Sequence, residues 1–329
     1  APKATISDVR TITMENVVEK SIAAYISDGG KITNASTANI NLGTSGKNIA
    51  YYVKNAGTSI GGANVGTVKG YGVGVYLEGT KANPTATPAV PASQATLGAN
   101  APELKFNNGT TDGNGIIGLY LKGDTDISAY TKTITVGNTV GTNSAIGIYS
   151  DAQGVSGTPY VIKANITTGK KAVGIFSAPD KTTPVVANKS YIKYLGSQMN
   201  LGEGSTGFYV NGKTELDTTT TTTPTTTINL DGGLVAYVTK NSEFVGGNSK
   251  VNLSNPGIGV YGERGAKVDV GSWTFNNNGN AAEEIRLKEG IAKVTTDKTL
   301  KPKMVLTHVI NGETYLDSGK SVTAIADPT

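Results

Sequence analysis

The 329-residue chain contains no cysteine, one histidine, one tryptophan and no long apolar run. Each shortage closes off a class of function. Without cysteine there is no disulfide framework and no thiol chemistry. No stretch of 18 apolar residues exists, so nothing here spans a bilayer as a helix. The 29 Lys and Arg against 25 Asp and Glu give a net charge of +4, scattered singly. A nucleic-acid binder would gather its cations into a basic stripe, so nucleic acid is not expected as a partner. The lone His308 has no Ser or Cys nucleophile pattern beside it and reads as a structural residue of an apolar–polar strand. The opening Ala1-Pro2-Lys3-Ala4 is not a secretory leader.

What is present in excess is glycine, 43 residues, much of it inside a recurring motif. The motif runs apolar, small, apolar, aromatic: Ile22-Ala23-Ala24-Tyr25, Val73-Gly74-Val75-Tyr76, Ile117-Gly118-Leu119-Tyr120, Ile146-Gly147-Ile148-Tyr149, Val173-Gly174-Ile175-Phe176 and Ile258-Gly259-Val260-Tyr261 are six of nine copies. The nine aromatics stand at 25, 52, 76, 120, 149, 176, 209, 237 and 261. A period of this size means stacked supersecondary units, each burying its apolar edge against its neighbours. Seven residues after most aromatics comes a second apolar position, as in Ile32, Ile127, Leu216, Phe244 and Val268, beyond a Gly or Asn corner. A third stretch alternates apolar with polar, as in Ile134-Thr135-Val136 and Ile228-Asn229-Leu230, the mark of a half-buried strand.

Three short strands per unit predict an all-β fold, a right-handed parallel β-helix of about eleven coils with loop insertions. Residues 1–329 form a single solenoid segment, with Leu287 and Tyr315 expected to take the aromatic slot in two weakened C-terminal copies. With no polar cap visible at either end, the segment is expected to be truncated at both. Two stretches break the period, near 79–101 with Pro84, Pro88 and Pro91, and near 177–196; a Thr-rich loop occupies 217–227. The template aromatics are expected to stack as a buried internal column. Surface recognition then falls to aromatics off the template: Tyr71, Tyr130, Tyr160 and, as ligand-binding candidates, Tyr191, Tyr194 and Trp273.

Many β-helices are polysaccharide lyases or hydrolases, whose sites need two or three carboxylates close on one face, often with Ca²⁺. Here Asp124 and Asp126 share one turn and Asp112 and Asn114 another; both read as solvated turns, with a weak Ca²⁺ site as the alternative. The tandem Gly-Gly-x-Gly-x-Asp repeat of calcium β-rolls is missing, and Gly72-Val73-Gly74 lacks the helix that a dinucleotide loop requires. No catalytic residue, metal ligand or cofactor site is therefore assigned.

At the Gly-Ile-Gly-Val-Tyr motif, with its turn Gly265-Ala266-Lys267-Val268, the chain resembles passenger regions of large fusobacterial type V autotransporter adhesins, of the RadD type. The resemblance covers roughly residues 17 to 322. It implies a passenger anchored by an outer-membrane β-barrel elsewhere in the parent protein and displayed on the cell surface. Its partners would be surface proteins or glycans of other bacteria, in coaggregation, or of host cells, in virulence. No binding site transfers from the family. The expectation is a non-enzymatic adhesin. The alternatives are a carbohydrate-active β-helix, which would group charged side chains in one groove across adjacent coils, and a passive spacer.

Overall fold

The computed structural model describes residues 4–14, 20–44, 46–57, 60–81, 88–89, 92–106, 115–151, 153–154, 157–178, 190–219, 224–270 and 273–325. These residues form a parallel β-helix with strands and no helix. The strands pair in parallel with equivalents one coil away, as Tyr76 with Tyr120 and Tyr120 with Tyr149. Parallel pairing without helical crossovers requires the chain to wind round a common axis, which short Gly and Asn corners permit. Asn55, Asn241 and Asn278 all hold positive φ at such corners.

Eleven strands form the first face: Ile22–Ser27, Asn48–Lys54, Gly72–Glu78, Ile116–Lys122, Ile146–Asp151, Val173–Ala178, Thr206–Val210, the second halves of Thr226–Val238 and Ser249–Gly262, Ala282–Leu287 and Met304–Val309. The second face includes a seven-stranded run from Tyr160–Ile162 to Glu313–Leu316. The third carries the alternating segments such as Thr133–Val136, Asn165–Thr168 and Gln198–Leu201. The core is the lumen of this coil. Ile127, Leu216, Phe244, Ile134, Val136, Ile228 and Leu230 are all at most 1% exposed, so the second and third apolar positions point inward as expected.

The aromatic position does not. Leu119 and Leu121 are both fully buried, and in a pleated strand the residue between them must face the other way. Tyr120 and its equivalents therefore lie half-buried on the outside of the first face, Tyr25 half-exposed. The column exists, but as an external ladder: adjacent rings from Tyr25 to Tyr261 lie between 4.4 and 5.3 Å apart, centroid to centroid. The small residue is required by close approach, to the backbone of the next coil and to side chains in the lumen. Gly118 and Leu119 are both buried although adjacent, so the strand bends there and its backbone closes on the next coil. A Cβ on Gly174 would lie 2.6 Å from the Gly207 carbonyl oxygen, and one on Gly74 would lie 2.4 Å from the Phe106 ring.

The ladder also ends differently. Tyr261 pairs with Arg286 and Arg286 with His308, so these two take the aromatic slot, not Leu287 and Tyr315. Leu287 pairs with Gly262 and is fully buried; Tyr315 pairs with Lys293 on the second face. The expected anchors are thus displaced by one residue at Leu287 and by seven at Tyr315. The 79–101 insertion is smaller than its proline content suggests. Thr80 and Ser93 close its base, and Ala95, Leu97 and Ala101 already belong to the core. Within 177–196, residues 179–189 lie outside the described residues, and Ser190–Tyr194 is a regular strand of the second face. Of the Thr-rich loop, 220–223 lie outside the described residues, while Thr226 and Thr227 open a strand.

Candidate functional site

Pleating gives each face an outer surface whose composition repeats from coil to coil. The first face carries the ring ladder. Its rings stack on one another, six of the eight contacts being within 22° of coplanar. From Tyr120 to Tyr237 stacking occupies both faces of each ring and leaves only edges to solvent, so that part of the ladder offers no free aromatic surface of the kind a sugar ring packs on, whereas Tyr52 meets Tyr25 and Tyr76 edge to face. Its phenols are tied down as well: Tyr52 donates to Glu78, Tyr120 to Asp151 at 3.4 Å and Tyr237 to Glu263 at 2.6 Å. Burial, seconded by Asp151, raises the Tyr120 pKa above the ordinary phenol value.

The second face is a charge ladder. Lys213 lies 3.6 Å from Glu215 and 3.2 Å from Glu243, and Lys193 lies 3.6 Å from Glu215. Tyr191 belongs to this surface; its hydroxyl donates to Glu215 at 2.9 Å and the Lys213 ammonium stands 5.2 Å from its ring centre. Burial opposes the charge on Lys213, but Glu243, Tyr191 and Glu215 outweigh it and raise its pKa. The third face is an amide ladder, with Asn229 donating to Asn200 at 2.8 Å and Asn252 donating to Asn229 at 3.0 Å.

Of the three aromatic candidates, only Tyr191 faces outward. Tyr194 is fully buried, with its hydroxyl donating to the Gln198 carbonyl at 3.1 Å, and Trp273 is 3% exposed. Neither can meet a ligand at the surface. Both belong to an internal chain of rings, Tyr194 to Phe208 at 5.3 Å, Phe208 to Phe244 at 5.9 Å and Phe244 to Trp273 at 6.2 Å. Tyr130 is likewise buried, its hydroxyl donating to the Pro102 carbonyl at 3.0 Å. Asp124 accepts from Gln94 of the preceding coil at 3.1 Å, and Asp126 from the Ser128 backbone N–H at 2.8 Å within its own turn. Asp112 and Asn114 lie outside the described residues. His308 is exposed, with Nδ1 3.6 Å from Glu283, rather than packed inside a strand.

One coil departs from all three rows of the first face at once. In Ala282–Leu287, Glu283 replaces the outer aliphatic residue, Glu284 the small residue and Arg286 the aromatic. Glu284 points into the core, where it is 1% exposed and accepts from Lys298 at 2.8 Å and from the Trp273 indole N–H. Lys298 also donates to the Trp273 carbonyl at 3.0 Å. Outside, beside this coil, a hollow of about 530 Å³ opens between Leu234, Pro256, Ile258, Ala282 and Val305, with Glu283, Arg286 and Lys303 among its lining residues. Arg286 grips Glu283 through two contacts of 2.5 Å, and the hydrogen bond from Arg286 is the main cause holding the Glu283 pKa below the ordinary carboxylate value.

Sequence reasoning missed these residues because placing the anchor on Leu287 hid the substitutions. Aligning Arg286 with Tyr261 brings them out. Among the described residues, no group of three or more acidic or His side chains is arranged to hold a metal ion. No protein-family model, curated protein or solved structure matches the chain.

Proposed function

We propose that this chain is a segment of a non-enzymatic cell-surface adhesin: a stiff β-helical shaft displayed outside the cell that contacts surface proteins or glycans of partner bacteria or host cells. One observation carries the reading, the way the outward charges are used. A lyase or glycosidase gathers two or three carboxylates round one bond, with at least one free to exchange a proton. Here outward carboxylates are tied across coils to cations: Glu78 to Lys122 at 3.2 Å, Glu215 to Lys193 and Lys213, and Glu289 to Arg264 at 2.8 Å. Such pairs add little stability individually, but they tie up the carboxylates of neighbouring coils in pairs rather than gathering them round one bond. That suits a structural and adhesive element. The absence of cysteine fits export in an unfolded state, and the resemblance to autotransporter passengers supports surface display.

The test is direct binding of the purified, labelled chain to intact bacterial and host cells, run beside a screen for release of reducing ends from a polysaccharide panel. Saturable binding without polysaccharide cleavage is the expected result. Cleavage would transfer the chain to the carbohydrate-active class. Folded protein that neither binds nor cleaves would make it a spacer.

A further inference from the structure

We propose that the hollow beside Ala282–Leu287 is a binding site for a small aliphatic carboxylate. The argument begins with the corner between the third and first faces. In most earlier coils a loop joins those faces, as in 137–144, where Val140 and Asn143 bridge each other. Ile146, at the outer aliphatic position of that coil, is only 8% exposed. In Thr226–Val238 and Ser249–Gly262 the chain instead runs straight across the corner as one strand. Gly232 and Gly233 hold φ of 70° and 92° there, a conformation that side chains resist. The equivalent aliphatic residues, Leu234 and Ile258, are half-buried, as Ile117 and Val173 are in earlier coils, and here they form one wall of the hollow.

Val305, two coils beyond Ile258 and in register with it across Glu283, is 46% exposed and adds a second apolar wall to the hollow. The volume, about 530 Å³, is within the range of small-molecule sites, and an apolar lining with a few polar groups is the usual make-up of such sites. The polar groups select the charge of the guest. Glu283 is neutralised by the Arg286 fork, so it does not call for a cation. Lys303 is exposed and stands at a corner with φ 61°; its carbonyl accepts from the Ala282 N–H at 3.1 Å, while its ammonium has no hydrogen-bond or ion-pair partner among the described residues. The lining therefore carries one acidic and two basic groups, with the uncompensated charge on Lys303. A carboxylate on that ammonium, with its chain lying on Leu234, Ile258 and Val305, satisfies both halves of the site. A bare inorganic anion would leave the apolar strip wet, and an amine would face Lys303 and Arg286.

This site stands independently of the adhesive reading, because it concerns a small ligand rather than a cell surface. The probe is octanoate, with octanol and octylamine as the neutral and cationic arms, titrated calorimetrically into the intact chain. Octanoate should bind more tightly than octanol, and octylamine no more tightly than octanol. Lys303→Gln should weaken octanoate about tenfold, the scale of one charge-assisted contact, and leave octanol unchanged. Ile258→Asp should abolish binding of both. If that variant melts abnormally, Val305→Asp, in an exposed position, replaces it. The proposal fails if the wild-type chain does not bind octanoate, if octanoate is indifferent to Lys303→Gln and to the apolar-to-Asp change, or if octylamine equals octanoate.

Discussion

Two sets of aromatic rings run along this molecule, and they obey different rules. The outer ladder repeats an aromatic residue, Tyr in all coils but that of Phe176, at one register position in nine coils, with ring spacings confined to 4.4–5.3 Å. The inner chain of Tyr194, Phe208, Phe244, Trp273 and Phe275 has no period, spacings of 5.3–6.2 Å and ring planes tilted by 37–72°. The difference separates periodicity from burial. A ladder on a parallel sheet stacks only if the same residue recurs in register, so the pattern is visible in the sequence. A lumen needs only to be filled to the right volume, and Phe in one coil is offset by Gly in the next. Trp273 illustrates this, lying where Gly246 and Gly259 leave room: a Cβ on either would meet the indole at 3.0–3.1 Å.

The comparison breaks most visibly at an inner ring. Phe244→Ala removes a fully buried side chain from a packed lumen and should cost ~3–5 kcal/mol, read as the loss of unfolding free energy in denaturant. A cost under ~1 kcal/mol would mean that the lumen collapses freely and that burial does not distinguish the two sets.

Next in size is the polar end of the inner chain. Lys298→Met strands the Glu284 carboxylate beside Trp273 and should cost about 3 kcal/mol, because an unpaired buried charge is worse than no charge. Adding Glu284→Gln, which removes the charge and keeps an acceptor for the indole N–H, should recover most of the loss. If the double variant is no more stable than the single one, the pair is not isolated from solvent as its burial indicates.

An outer ring should matter less. Tyr149 touches Tyr120 at 4.7 Å and Phe176 at 5.2 Å across neighbouring strands, and each such pair contributes up to about 1 kcal/mol, so Tyr149→Ala should cost ~1–2 kcal/mol. Its neighbour Ile148, fully buried, should cost ~2–5 kcal/mol when truncated to Ala. Equal costs for the two variants would restore the internal column that periodicity alone suggests.

The β-helix, its three strands per coil and the inward second and third apolar positions were legible, because alternation along a strand reports burial directly where its phase is unambiguous. The phase of the aromatic strand was not legible. The motif places a bend at its small residue, so Gly118 and Leu119 both point inward and simple alternation miscounts by one. That single shift reversed the roles of template and off-template aromatics, and it explains why Tyr194 and Trp273 looked like surface candidates. The hollow was unreadable for another reason. It arises from Leu234, Ile258, Lys303 and Val305, which come from three coils and meet only once the register is known. Tyr191 alone among the candidates was placed outward, where its strand alternates without a bend.

The smallest expected effect tests whether the outer ladder is held by its flanking carboxylates as well as by stacking. Glu78 accepts from Tyr52 and lies 3.2 Å from Lys122. Burial opposes its ionisation, but the hydrogen bonds from Tyr52 and Lys122 outweigh it and hold its pKa below the ordinary value of 4.5. A carboxyl whose pKa is lower folded than unfolded binds its proton more weakly in the native state. Its stabilisation is therefore present above the unfolded value and is lost as pH falls through the folded one. The melting temperature should consequently drop on acidification below about pH 4.5, and part of that drop should vanish in Glu78→Gln, which can still accept from Tyr52 but has no proton to gain. Other carboxyls contribute to the total, so the difference between the two acid profiles is the quantity that counts. Screening by solvent keeps it small, on the order of a degree or two. Parallel profiles for the two proteins would mean that Glu78 does not steady the ladder and that stacking alone holds the outer rings in line.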